Sequence, residues 1–349
     1  SALRFFEAKA GPKKVIDKVV FKSIDCRTAK QLNYLKKWYP HFDKITHVFN
    51  LNDYYNAAWN VSLPDLEAWV LSKYRNSSGI ATFPKKLKKI VFGQHFRQKI
   101  VKGVLPSGLR SLAFKSDFDF THLNLPQGLQ SLAVVSDISL SKLSGLSSLT
   151  FLSLGNAFNQ VVEKNVLPSS LKTLVFGTYF NQVLTQSILP LNLSILIFGY
   201  CFNRPLANGA LPPHLKRLVF GGRFNQRIAL GELPYKLMFL RFGEKFNQPF
   251  AKGVLPLGLC VLIFGAEFDQ PLIEGVLPRK LTELYFGDRF NQELIEGVLP
   301  PRMKELVFGD AFEESLAENV LPKHLDVLIF GSSYCVNFKK NMLPRTIKR

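Results

Sequence analysis

Nine prolines, Pro168, Pro190, Pro212, Pro234, Pro256, Pro278, Pro300, Pro322 and Pro344, each follow a leucine, and each stands 22 residues after the one before without insertion or deletion. The frame continues upstream through Pro84, Pro106 and Pro126, with Leu146 in the proline's place and two intervals shortened to 20 residues, so thirteen turns are legible. A unit this short carries an apolar face it cannot bury by itself, and stacking on like neighbours is what removes that face from water. The period therefore predicts a solenoid.

The stretch 167–183, LPSSLKTLVFGTYFNQV, shows what one turn contains. Leu171, Leu174 and Phe176 followed by Gly177 read as a short strand ending in a turn, with Leu174 and Phe176 on one face because strand side chains alternate. Stacked in register, these strands form one parallel sheet, and thirteen of them at about 4.8 Å give a rod about 60 Å long. The glycine, one per turn, is read as the residue that lets the backbone turn at the strand end. The Phe-Asn-Gln triplet after it, as in Phe224-Asn225-Gln226, supplies a second internal phenylalanine stack. Its asparagine is expected to accept from and donate to backbone groups of the adjoining turn, so that a buried bend strands no polar group. The return leg, such as 271–278, is too short for a full helix, which predicts extended, polyproline-like or 3₁₀ backbone.

The first 83 residues follow the frame less closely. Lys18 to Phe21 reads as a strand and Thr28 to Trp38 as a helix capped by Thr28, which together make residues 1–44 a small α/β cap. The strand pattern at Ile45 to Leu51 and again at Trp69 to Leu71 marks 45–83 as degenerate repeats, ahead of regular repeats over 84–349. At the other end LPRTIKR stops where the next strand is due, leaving an open edge that either pairs with something or is followed by more chain.

The consensus LPxxLxxLxFGxxFNQPLxxGV resembles the FNIP-repeat family, a leucine-rich-repeat-like group, over roughly residues 84 to 349. The resemblance implies a leucine-rich-repeat-like solenoid. Relatives in social amoebae and giant DNA viruses often carry an F-box ahead of the repeats, which implies a ubiquitin-ligase adaptor recruiting substrates through the solenoid. Residues 1–83 depart from that pattern, because Leu63-Pro64-Asp65-Leu66 lies too close to the first repeat and lacks the helices that should follow.

Nothing in the sequence breaks the repeat in the way a catalytic centre would. The six histidines are scattered, and His214 and His324, at the same repeat position, stand five turns apart. The four cysteines, Cys26, Cys201, Cys260 and Cys335, form no CxxC pair and no metal-ligand spacing, so no metal, cofactor or disulfide framework is expected, and the chain is read as non-enzymatic. No apolar run reaches membrane-spanning length and the N-terminus lacks the apolar core of a secretory signal, so the expectation is a cytoplasmic protein, in host cytoplasm or virion if viral, without a membrane partner.

Function in such a rod is expected on the columns that vary from turn to turn. Two strand positions point away from the core, five and seven residues after the proline, and the second is apolar almost throughout, with a stripe of Val and Ile. The expected protein-docking face is Ile195, Ile197, Arg217, Phe239, Arg241, Ile263 and Tyr285, where aromatic and arginine anchors sit among aliphatics. β-branched residues also suit strands for purely structural reasons. The net charge of +19 is densest over 81–130, with nine basic and two acidic residues. There Lys85, Lys86, Lys88, Lys89, Arg97, Lys99, Lys102 and Arg110 form a candidate polyanion site, and Lys216, Arg217, Lys236, Arg279, Lys280, Arg302, Lys304 and Lys323 line a basic edge near the post-proline turn. Three readings follow: a scaffold for a protein partner, a structural assembly component self-associating through its open C-terminal edge or apolar face, and an RNA or DNA binder.

Overall fold

A computed structural model of the chain describes residues 19–21, 48–50, 87–93, 99–100, 102–335 and 343–347. They fall in two compact units, 1–132 and 133–349. In the first, β1 (Val19–Phe21) pairs in parallel with β2 (Val48–Asn50), which agrees with the two strands read from the sequence there. The expected helix over 28–38 and the strand pattern at 69–71 lie outside the described residues. The same unit holds the parallel pair β3 (Lys89–Phe92) and β4 (Ser111–Phe114), and β5 (Ser131–Ala133) spans the division.

The second unit is a parallel β-solenoid. Its strands β6 (Phe151–Ser153), β7 (Thr173–Val175), β8 (Ile195–Ile197), β9 (Arg217–Val219), β10 (Phe239–Arg241), β11 (Val261–Ile263), β12 (Glu283–Tyr285), β13 (Glu305–Val307) and β14 (Val327–Ile329) hydrogen-bond in sequence order. Every pairing is offset by one repeat, so Leu174, Leu196, Leu218, Leu240, Leu262, Leu284 and Leu306 form a single column, and each is fully buried. Register is unambiguous because a slip of one residue would carry this leucine column to the solvent face.

Behind the sheet the phenylalanines stack as expected, in two columns. Within a turn Phe176 and Phe180 lie 3.8 Å apart at 8°, and Phe198–Phe202, Phe220–Phe224 and Phe242–Phe246 repeat the 3.8 Å pairing. From turn to turn the rings beside the sheet advance 5.6 Å, as in Phe198–Phe220 and Phe220–Phe242, whereas the deeper ones advance 6.0 Å, as in Phe202–Phe224 and Phe224–Phe246. With strands about 4.8 Å apart, spacing that widens with depth means the turns fan outward. The sheet of this unit is on the inner side of a bend. Aliphatic Leu184, Leu206, Ile228, Leu272 and Leu294, with Phe250 among them, close the core from the return leg.

The two polar columns differ from the sequence reading in instructive ways. Gly177, Gly199, Gly221, Gly243 and Gly265 have no positive φ; each is glycine because a Cβ there would overlap the backbone carbonyl of the glycine one turn earlier. The left-handed backbone falls elsewhere, three residues before each repeat proline from Pro168 to Pro322, where Gly275 has φ 83° and Asn165, Ser187 and Asn319 have φ 65°. The return legs hold neither α-helix nor strand around this bend, and a 3₁₀ turn occurs at Leu140–Lys142 within one of the shortened repeats. The corner asparagine acts through its oxygen. Asn225 Oδ1 accepts the backbone N–H of Asn247 at 3.0 Å and the side-chain amide of Gln248 at 3.0 Å, and Asn203 serves Asn225 and Gln226 in the same way. Donation comes from the glutamine, a partner the sequence reading did not pair with it.

Candidate functional site

From β7 to β13 each three-residue strand buries its central leucine and turns its two flanking residues outward, so the outer surface of the sheet there is set by two residues per turn. Ile195, Ile197, Phe239, Ile263 and Tyr285 are half-buried there, and Arg217 and Arg241 are exposed. The pairing β8 to β12 makes them neighbours: Ile195, Arg217, Phe239, Val261 and Glu283 run down one column, Ile197, Val219, Arg241, Ile263 and Tyr285 down the other. All seven residues of the expected docking face therefore lie on one continuous surface. The columns turn inward at Val91 and Ser153, which were expected to face out and are 3% and 1% exposed.

Two contacts fix the side chains of this surface. The Arg217 guanidinium sits 3.7 Å over the centre of the Phe239 ring, a stack that the one-turn offset imposes by placing the two residues side by side. Two strands further on, the Tyr285 hydroxyl donates to Glu283 at 3.3 Å. Burial first, then hydrogen bonding to Glu305 and the charge of Glu283, hold this phenol well above its usual range. The face thus runs from a cationic end at Arg217 and Arg241, across Val261 and Ile263, to an acidic end at Glu283 and Glu305.

The basic residues are less concentrated. Lys85, Lys86 and Arg97 lie outside the described residues. Lys88 donates to the Gly108 carbonyl of the next turn at 3.3 Å, Lys89 is half-buried on β3, and Lys99, Lys102 and Arg110 are exposed. Lys99 and His122 act on Asp119, whose carboxyl is lowered chiefly by hydrogen bonds from Thr121. Among the described residues no group of three or more His, Cys, Asp or Glu is placed to hold a metal ion, and no helix is long and apolar enough to cross a membrane.

One surface escaped the sequence reading. The residue directly after the repeat proline is Leu191, Tyr235 and Leu257 on the second, fourth and fifth turns of this run, and these are 64%, 67% and 80% exposed. The signal was in the sequence, as apolar residues at a β-turn corner where polar ones are the rule.

The model of the FNIP Repeat family matches residues 76–117 and 147–333 in overlapping stretches. Among solved structures the chain is similar to CroV588, a circular leucine-rich-repeat protein from a giant virus, with 35% identity and a TM-score of 0.66 over 77% of this chain and 44% of that one. The chain thus spans less than half the length of that relative. It also matches an internalin, InlF, from Listeria monocytogenes at 17% identity and TM-score 0.48, over 70% of this chain and 74% of that one. No curated protein sequence matches it. With the family model matched in seven stretches over well more than half its length, and the stacked phenylalanine and asparagine columns that the repeat encodes, the chain belongs to the FNIP Repeat family.

Proposed function

We propose that the chain is a non-enzymatic scaffold that binds a protein partner on the outer surface of β8 to β12. Leucine-rich-repeat-like folds are typical of protein-interaction scaffolds and their families are generally non-enzymatic. The observation that carries the reading is the Arg217–Phe239 stack on a surface whose aliphatic residues are Ile195, Ile197, Val219, Val261 and Ile263. Arginine and aromatic side chains are the types that dominate binding energy, and a pair already held together loses little rotamer freedom when a partner covers it. A surface on the inner side of a bend favours a narrow partner element over a flat one. Where an F-box module is joined to such repeats, this face is our proposed seat for the ubiquitin-ligase substrate.

The test is capture by the full chain compared with Phe239→Ala and Ile263→Ala variants whose thermal melting is unchanged. Proteins retained by the wild type and lost by both variants support the assignment; retention unaffected by either refutes it.

A further inference from the structure

The rim of the second unit, where each turn enters its strand, is a row of identical β-turns. In each, the repeat proline's carbonyl accepts the N–H three residues on: Pro190 from Leu193 at 3.1 Å, Pro212 from Leu215 at 3.1 Å, Pro234 from Leu237 at 3.0 Å and Pro256 from Leu259 at 3.0 Å. The two residues between are the corner of the turn and project from the rim. On these four successive turns the first corner residue is Leu191, Pro213, Tyr235 and Leu257, all exposed, and the leucines and tyrosine keep about two thirds or more of their surface in water. On the following three turns the corners become cationic, as Arg279-Lys280, Pro301-Arg302 and Lys323-His324. Lys236 stands beside the apolar stretch, 3.0 Å from His214 and 5.6 Å from the Tyr235 ring centre. No aspartate or glutamate occupies a corner on any of these seven turns.

We propose that this rim docks on an anionic lipid surface, with Leu191, Tyr235 and Leu257 entering the headgroup boundary and Arg279, Lys280 and Arg302 resting on anionic headgroups. The proposal is independent of the protein-binding surface on the sheet. Equivalent corners of a repeated turn form a continuous ridge that follows the bend, and a fluid bilayer can meet such a ridge along its length, whereas a protein partner would have to supply a matching groove. Aliphatic side chains, a tyrosine with apolar body and polar tip, and adjoining lysines and arginines are the composition of surface-bound membrane anchors. A nucleic acid reading of the basic edge fits less well, because leucine and proline corners offer bases no stacking face.

Co-sedimentation of the full chain with unilamellar vesicles tests this. Binding to phosphatidylcholine vesicles containing 30% phosphatidylserine is expected to exceed binding to pure phosphatidylcholine by at least about tenfold, since each basic residue near an anionic surface contributes about fivefold. A Tyr235→Ser/Leu257→Ser pair is expected to weaken it by about tenfold or more, and Arg279→Glu/Lys280→Glu to weaken it most at low salt, with the difference from wild type shrinking as salt screens the headgroups. Phe239→Ala should bind vesicles as the wild type does, which separates failure here from failure of the sheet-face reading. All substituted rim residues are exposed, so melting temperatures should hold and will show any unfolded variant. Absence of binding to the phosphatidylserine vesicles overturns the proposal. So does binding that ignores the Tyr235/Leu257 pair and is displaced by a 20-nucleotide single-stranded RNA, which would make the rim a polyanion site.

Discussion

Replacing Asn225 separates the two halves of its amide. Its oxygen receives two hydrogen bonds of 3.0 Å from the next turn, one from the Asn247 N–H and one from Gln248. Each bond is worth about 1 kcal/mol net. Asn225→Ala removes both, leaving a half-buried backbone N–H to be satisfied by water, so a loss of about 1–3 kcal/mol is expected. Asn225→Asp keeps an oxygen in place, and the chain already contains that arrangement: Asp269 accepts the Asn291 N–H at 3.0 Å and Gln292 at 2.8 Å. The aspartate variant should therefore stay within about 0.5 kcal/mol of wild type. Urea denaturation of the three proteins, read as midpoints at constant slope, distinguishes the cases. If aspartate costs as much as alanine, the amide's donor half is what holds the corner; if alanine is neutral, water replaces the ladder without loss. Either result refutes the acceptor account.

Three further outcomes follow from the backbone and from one phenol. Gly199→Ala sets a Cβ against the Gly177 carbonyl, a contact that only separation of two turns can relieve, so a loss of more than about 3 kcal/mol is expected, and a melting temperature within a degree of wild type would refute the close approach. Ser187→Gly relieves a left-handed backbone at φ 65° and should raise stability by about 0.5–1 kcal/mol in the same urea assay; a decrease would mean the serine side chain contributes more than the strain costs. Tyr285 has its hydroxyl raised above the ordinary 10.0 by burial and by Glu305 and Glu283. The fold holds the neutral form, so this contribution is intact below pH 10 and is lost as pH rises beyond it. Tyr285→Phe, which cannot ionise, should lose stability less steeply in alkali, and identical slopes would refute the coupling.

Most of the solenoid was legible because a repeat converts sequence position into spatial position. Once Leu174, Leu196 and Leu218 are seen to stand 22 residues apart, their column, its burial and the outward placing of their neighbours are decided by strand alternation. The same logic placed Arg217 beside Phe239, although the distance at which guanidinium meets ring depends on rotamers that periodicity does not encode. The glycine column misled because two physical demands select the same residue: Gly275 answers to dihedral angle, Gly199 to the volume left by the carbonyl of the preceding turn. Composition alone cannot tell them apart. The asparagine–glutamine pairing was hidden for a similar reason, since the acceptor of Gln248 lies 23 residues earlier and becomes its neighbour only through stacking. The exposed leucines of the rim lie in turns, outside the strand alternation that sorts inward from outward residues, so periodicity is silent about them.

A rod whose turns are near copies of one another presents any ligand with a ruler. A partner lying along β8 to β12 that slides by one strand, about 4.8 Å, meets the same backbone, the same curvature and the same pitch. Only the side chains report the shift: moved one turn, a carboxylate meant for Arg217 meets the Phe239 ring, and a cation meant for Glu283 meets Val261 or stays with Glu305. Alignment of such a complex would thus depend on the irregularities of the outer columns, the Arg217–Phe239 pair above all, and not on the backbone that the turns share. Making neighbouring turns more alike would leave the fold intact and blur where along it the partner comes to rest.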